Sequence, residues 1–166
     1  MTTVDELRAH PIFAGLDDSQ LARVAAVLVP RRLRTGQTIF SEGEHSSSMY
    51  LLSTGTVGTS KRLGLAPRDE NGKSRQKVLV RLSAPQFFGE MGLLSDLERS
   101  ATITAETPCQ ILELRREDFA HLAESDPVLG YQLIRNVAVV LADRLRRTDL
   151  DVMKLTTALS LALGNR

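Results

Sequence analysis

The sequence predicts a mainly β domain, a jelly-roll or β-roll barrel, with short helices before it and one long helix after it. Three observations carry this. Between residues 31 and 115, short apolar stretches are punctuated by glycine turns at Thr35-Gly36, Glu42-Gly43-Glu44 and Thr54-Gly55. These make seven or eight short strands in about 85 residues, a density that points to a roll or barrel. Beyond Pro127 no proline follows, and apolar residues recur at helical spacing.

In chain order, residues 2–9 and 17–29 read as short helices. The second opens on Asp17-Asp18-Ser19, which supplies capping oxygens, and places Leu21, Val24, Ala25 and Leu28 on one face before Pro30 ends it. The linking turn, His10 to Leu16, buries Ile12, Phe13 and Leu16. His10 stands before a proline with no second histidine, cysteine or carboxylate cluster beside it, and reads as a turn residue rather than a ligand. Strands are expected at 31–35, 38–41, 48–53, 56–62, 76–82, 100–106 and 109–115. The connection at 61–77 is polar and basic (Lys61, Arg62, Arg68, Lys73, Arg75, Lys77). With no aromatic side chain among its charges it reads as a solvated loop, not a nucleic-acid surface. Residues 116–125 form a short helix with Phe119 and Leu122 facing the roll. Asp126-Pro127 then starts the long helix, aspartate as cap and proline at the first position, with Gly130 as an interruption. The domain division is 1–126 for the roll and its leading helices and 127–166 for the long helix.

Composition removes several function classes. The 166 residues carry 21 Lys plus Arg and 20 Asp plus Glu, a net charge of +1, so overall charge argues for neither nucleic acid nor an anionic membrane. Cys109 is the single cysteine, which excludes an internal disulfide, a cysteine zinc site and a cysteine-ligated cluster. No apolar run is long enough to span a bilayer, and the polar, acidic start is unlike a signal peptide. A cytoplasmic protein with no membrane association is expected. No nucleophile–base pair, metal triad or phosphate-binding P-loop appears, so neither an enzyme nor a metal site nor a cofactor is expected.

The stretch Phe88 to Ile103 carries the chemistry. Gly89 has no Cβ, so the backbone there can take positive φ or approach a ligand closely. The turn from Gly89 to Gly92 directs amides outward, as a helix start does toward an anion. Arg99 offers a guanidinium fork suited to phosphate oxygens, Glu90 an acceptor for a sugar hydroxyl, and Ser100 a hydroxyl donor. Glu90 and Asp96 could be imagined as paired acids. A carboxylate close to a phosphate-seeking arginine reads instead as ligand binding.

As a joint pattern, FGEMGLL, then SDLE, then RSATI resembles the phosphate-binding cassette of cyclic nucleotide-binding domains, of the catabolite activator and protein kinase A regulatory-subunit type. Gly36, Ile39-Phe40, Glu42-Gly43, Met49-Tyr50-Leu51-Leu52 and Gly55 follow that family's frame in order. The resemblance implies an eight-stranded β-roll with helices at both ends. It implies that Glu90 takes a ribose 2′-hydroxyl and Arg99 the cyclic phosphate, with Ser100 and the amides from Gly89 to Gly92 in support. Phe88, Met91, Leu93 and Ala101 complete the expected site. cAMP is expected ahead of cGMP, because kinase-type cGMP cassettes carry threonine where this chain has Ser100. Two departures from the family pattern, Pro85-Gln86 before the cassette and the Ser46-Ser47-Ser48 stretch, lie outside the residues the family uses for the ligand.

The long helix adds a partner. Ile134, Ala138, Leu141, Leu145, Thr148, Val152, Leu155, Leu159 and Ala162 are spaced by alternating steps of 4 and 3, an unbroken coiled-coil stripe. Leu133, Val137 and Val140 form a second stripe suited to packing on the roll. A helix of about 35 residues extends about 50 Å, further than a small domain covers, so a parallel homodimer is expected rather than a helix folded back on its own domain. The resemblance implies that hydroxyls after an A-x-R-L segment contact the base. Here that segment is Ala142-Asp143-Arg144-Leu145; Thr148 matches and Asp149 departs. The chain stops at Arg166, leaving no room for the helix-turn-helix domain of the transcription-factor relatives. Direct DNA binding is therefore not expected, and Arg144, Arg146 and Arg147 read as a solvated face. The reading is a stand-alone bacterial-type receptor signalling through this helix to a downstream protein. The alternative is a β-roll dimerisation or interaction module whose pocket is empty or holds a different ligand. Relatives on this scaffold sense haem, iron–sulfur clusters or organic acids, whereas Cys109 and the scattered His10, His45 and His121 are all this chain offers.

Overall fold

The computed structural model describes residues 3–62 and 76–164. The chain runs α1 (Val4–Arg8), a 3-10 turn (Pro11–Phe13), α2 (Asp18–Val27), and strands β1 (Val29–Leu33), β2 (Thr38–Phe40), β3 (Ser48–Thr54), β4 (Thr56–Arg62), β5 (Gln76–Ser83) and β6 (Gln86–Phe88). Then follow α3 (Met91–Leu94), β7 (Thr102–Ala105), β8 (Cys109–Arg115), α4 (Arg116–Ser125) and α5 (Pro127–Gly164). Two antiparallel four-stranded sheets, ordered β1-β8-β3-β6 and β2-β7-β4-β5, make the eight-stranded roll.

Within the first sheet β3 is buried on both faces, which explains why it reads as a nearly continuous apolar run. Successive strand side chains point to opposite faces. Met49 and Leu51 of β3, Phe87 of β6 and Leu112 and Leu114 of β8 therefore pack under the helices with Leu7, Phe13, Leu21, Leu129, Leu133 and Val137. Their neighbours Tyr50, Leu52, Phe88 and Ile111 point into the roll against Leu33, Phe40, Val57 and Ile103. The site is thus built on strands held from behind by the helical layer.

The leading helices form where capping predicts. The Asp17 carboxylate accepts from the Gln20 amide at 2.8 Å and the Gln20 side chain accepts from the Asp17 amide at 3.2 Å, a reciprocal capping box. The helix gives way to strand at Leu28, and Pro30 lies inside β1, two residues earlier than the expected strand start. An edge strand tolerates a residue without an N–H. β6 was not among the expected strands: three residues are too short for alternation to register. The expected basic connection lies largely outside the described residues, which omit 63–75.

α5 is continuous through Gly130. A Cβ there would meet the Ala123 Cβ at 2.6 Å, so the glycine lets α4 and α5 approach closely rather than interrupting the helix. Asp126 caps α5 by accepting from the Leu129 amide at 3.0 Å, and pairs with Arg23 of α2 at 2.9 Å. The Leu129 amide above all, with Arg23 contributing, holds the Asp126 carboxyl below the usual carboxylate range. Asn136 donates to the carbonyls of Ile12 and Ala14, both at 2.8 Å, tying the first half of α5 to the amino-terminal turn. From Arg146 onward the helix is exposed on all sides. No helix among the described residues is long and apolar enough to cross a membrane.

His10 is buried in that turn, its Nε2 facing the Ser53 hydroxyl at 3.5 Å and its Nδ1 without a partner. Burial lowers its pKa below the ordinary 6.5, opposed by Glu6. Below 6.5 the unfolded chain takes up a proton that the folded state resists. The stability His10 contributes is therefore present above the unfolded value and lost as pH falls through the lower folded one. Thermal melts between about pH 7.5 and 5 should show a smaller fall for His10→Gln than for the wild type. Parallel falls would remove His10 from the account.

Candidate functional site

Arg99 stands at the centre of an open cavity of about 160 Å³ in the mouth of the roll. Its backbone is fixed first: the Arg99 amide donates to the Glu44 carbonyl at 2.8 Å, and its carbonyl accepts from the Gly43 amide at 2.9 Å. The Glu42-Gly43-Glu44 turn therefore sets where the arginine sits. The side chain is only 6% exposed. Nη1 donates to the carbonyls of Ser48 at 2.8 Å and Gly89 at 3.2 Å, and Nη2 to the Ser48 hydroxyl at 3.2 Å. The guanidinium lies 4.1 Å from the centre of the Phe40 ring and 5.6 Å from that of Tyr50. These two rings and Phe88 form a mutual cluster with centroids 5.5 to 6.1 Å apart.

Burial lowers the pKa of Arg99, opposed by Tyr50, Glu113 and Glu44, but a guanidinium remains charged in proteins. Among the described residues Arg99 makes no ion pair, and its Nε has no partner. Its immediate partners are thus neutral acceptors and π faces, with Glu113 and Glu44 only partly offsetting the burial of the charge, an arrangement able to attract an anion. Nearby, the Ser46 hydroxyl is buried, unpartnered and part of the same cavity wall.

Gly89 has φ +74°, and a Cβ on it would come within 2.8 Å of Arg99 Nη1. Gly92 packs still closer: a Cβ there would fall 1.9 Å from the Ser46 hydroxyl and 2.8 Å from the Ser48 carbonyl. Both glycines let the cassette lie directly on the arginine. Of the amides expected to face a ligand, that of Gly92 is committed, donating to the Gly89 carbonyl at 3.0 Å.

Of the residues expected to bind a ligand, Phe88, Gly89, Glu90, Met91, Gly92, Arg99, Ser100 and Ala101 line the cavity. Leu93 does not; it is buried in the core under the helices. Thr148 and Asp149 are exposed and outside the cavity wall, and the Thr148 hydroxyl donates to the Arg144 carbonyl one turn back on its own helix at 3.0 Å. Glu90 and Arg99 do not pair with each other. The Glu90 carboxylate accepts from Arg144 of α5 at 3.2 Å.

Sequence reasoning missed this use of Arg144, having assigned it to a solvated face. Its guanidinium lines the cavity, donates to the Phe87 carbonyl and lies 4.8 Å from the centre of the Phe87 ring. The A-x-R-L segment was the available signal. Phe40 and Ser46 also escaped as site residues, because β2 and the loop after it meet the cassette only in three dimensions. Among the described residues no group of three or more His, Cys, Asp or Glu side chains could hold a metal ion.

Comparisons with known proteins agree with this geometry. A family model described as cyclic nucleotide-binding domain matches residues 30–126. The chain is 30% identical over 147 residues to the cyclic AMP receptor protein of Thermus thermophilus, an alignment covering 88% of this chain and 62% of that one. It is 29% identical over 129 residues to the cAMP-dependent protein kinase regulatory subunit of Yarrowia lipolytica, covering 73% of this chain and 32% of that one. The crystal structure of the Thermus thermophilus catabolite activator protein is similar with a TM-score of 0.72 and 29% identity, over 88% of this chain and 63% of that one. The chain therefore spans less than two thirds of the length of each of these relatives.

The contact distances at Gly92 generate a stability prediction. Gly92→Ala should destabilise the fold by about 1–3 kcal/mol in urea unfolding, because the methyl group meets backbone and a buried hydroxyl rather than a flexible side-chain end. An unchanged midpoint would mean that α3 does not sit against Ser46 and Ser48 as described.

Proposed function

The chain belongs to the cyclic nucleotide-binding domain family, and from that premise we propose that it is a cyclic-nucleotide receptor, selective for cAMP over cGMP, whose output passes through α5 to a partner protein. The observation that carries the ligand reading is the buried Arg99, a cation with an unpartnered Nε and no carboxylate bound to it among the described residues, facing a cavity. A cyclic phosphate supplies the charge and the acceptors that this site lacks. Glu90 receives the ribose 2′-hydroxyl, Ser100 backs the phosphate, and Phe88, Met91 and Ala101 line the pocket. The exposed Ser100 hydroxyl at the cavity wall favours cAMP by the family pattern.

Arg144 connects binding to output. It bridges α5 to Glu90, so a ribose hydroxyl arriving at that carboxylate shares or displaces its donor. The ligand then favours one arrangement of α5 over another by its different contacts in each. In the distal half of α5, Leu145, Val152, Leu155 and Leu159 are all more than half exposed. This stripe is the proposed seam of a parallel homodimer. A cytoplasmic setting fits the single, free and buried Cys109.

Titration calorimetry tests the receptor reading. cAMP should bind at micromolar or better affinity and cGMP more weakly, while Arg99→Ala should lose roughly a hundredfold, as expected for removing a charged partner of a buried phosphate. No heat with either nucleotide would leave the chain as a β-roll module with a different or empty pocket. For the seam, sedimentation velocity should give a dimer for the wild type and a monomer for the double variant Leu155→Glu, Leu159→Glu. A dimer in both would place the interface elsewhere.

A further inference from the structure

The proposed ligand contacts leave the densest polar node near the site unused. Arg116 is the first residue of α4. Its Nε donates to the Gly92 carbonyl at 2.9 Å, and Nη2 donates to the carbonyls of Gly92 at 2.7 Å, Ser46 at 2.6 Å and Ser95 at 2.5 Å. Its Nη1 donates to the Asp96 carboxylate at 3.0 Å. The Gly92 and Ser95 carbonyls close the carboxyl-terminal end of α3, where a single-turn helix has no partners of its own for them. Ser46 also lines the cavity, packs against Gly92 and carries the unpartnered hydroxyl. One guanidinium thus completes the cassette helix, joins it to the β2–β3 loop, and does so from the residue at which α4 begins.

We propose that Arg116 is the positioning residue through which movement of the cassette reaches α4 and the start of α5. This rests on the receptor reading. Arg99 and Ser46, whose Nε and Oγ are buried without partners, both line the cavity beside Gly92. An anion drawn to them shifts the turn that carries Gly92. Hydrogen bonds of this length tolerate little stretching. A planar guanidinium bonded to several acceptors at once transmits a displacement that a single rotatable ammonium would absorb by turning. The displacement passes into α4, which packs directly on α5 where Ala123 meets Gly130. The Glu90–Arg144 contact is a separate link, entering α5 much further along. The two are therefore separable by where α5 responds.

The test is amide hydrogen exchange on the full chain, with and without saturating cAMP, in the wild type, Arg116→Ala and Arg116→Lys, with calorimetry alongside. In the wild type, cAMP should alter exchange both in the cassette, 89–96, and in 116–137. Arg116→Ala should bind about three- to tenfold more weakly. At saturation it should keep the cassette response and lose most of the response at 116–137, and Arg116→Lys should regain part of it. A full response at 116–137 in Arg116→Ala overturns the relay, as does a wild type that binds without any response there. So does a proportional loss in both segments, which marks a merely structural role. If circular dichroism shows Arg116→Ala unfolded, a full response in folded Arg116→Lys overturns the proposal and a reduced one supports it. No heat with the wild type removes the receptor reading and the relay together, whereas wild-type binding with an undiminished variant response removes the relay alone.

Discussion

The buried guanidinium of Arg99 is the constraint on which the rest of this structure depends. Taking a cation out of water costs several kcal/mol even after relaxation, and the surrounding residues offset that cost without neutralising the charge. The Ser48 and Gly89 carbonyls and the Ser48 hydroxyl accept its protons, and the face of Phe40 lies against it. Gly89 and Gly92 are glycines because any side chain there would collide with this arrangement. The Glu42-Gly43-Glu44 turn is fixed because it holds the arginine's own backbone. What remains is a buried positive charge in the wall of a cavity.

The fold makes that arrangement rigid by burying β3 on both faces. Tyr50 stands against the arginine inside the roll with Phe88 stacked on it, while their neighbours Met49, Leu51 and Phe87 are buried under the helices. Displacing the aromatic cluster would disturb two cores at once. The cassette is anchored differently: α3 is one turn long, with Met91 and Leu94 exposed, and is held by Leu93 in the core, by polar bonds from Arg116 and by close packing at Gly92.

α5 is two helices in physical character. Its first half is committed to the domain through Leu129, Leu133 and Val137 in the core and through the polar bonds of Asn136. Its second half leaves the domain with its apolar stripe uncovered. Arg144 sits near the boundary and is the point at which this helix touches the cavity. Through the Arg144–Glu90 pair the cavity wall meets α5 just before the helix leaves the domain.

Sequence alone determined the elements whose signal is local. Alternation and glycine turns marked the strands, Asp17 and Asp126 marked helix starts, and the stripes from Leu133 to Ala162 marked one long helix. The joint spacing of Gly89, Glu90 and Arg99 marked the stretch that lines the cavity, because a cassette is contiguous. Tertiary structure decided whatever depends on residues far apart in the chain. Arg144 reaches Glu90, and Arg116 reaches Ser46 and Gly92, only after the roll has closed. In sequence Arg116 is one more charged residue on a helix, and only the A-x-R-L segment sets Arg144 apart from the exposed Arg146 and Arg147. Gly130 looked like an interruption until α4 was seen lying across it. The physical reason is the same in each case: local propensity and pattern are properties of neighbours along the chain, whereas the partner of a long polar side chain is chosen by the packing of elements that the sequence does not place next to one another.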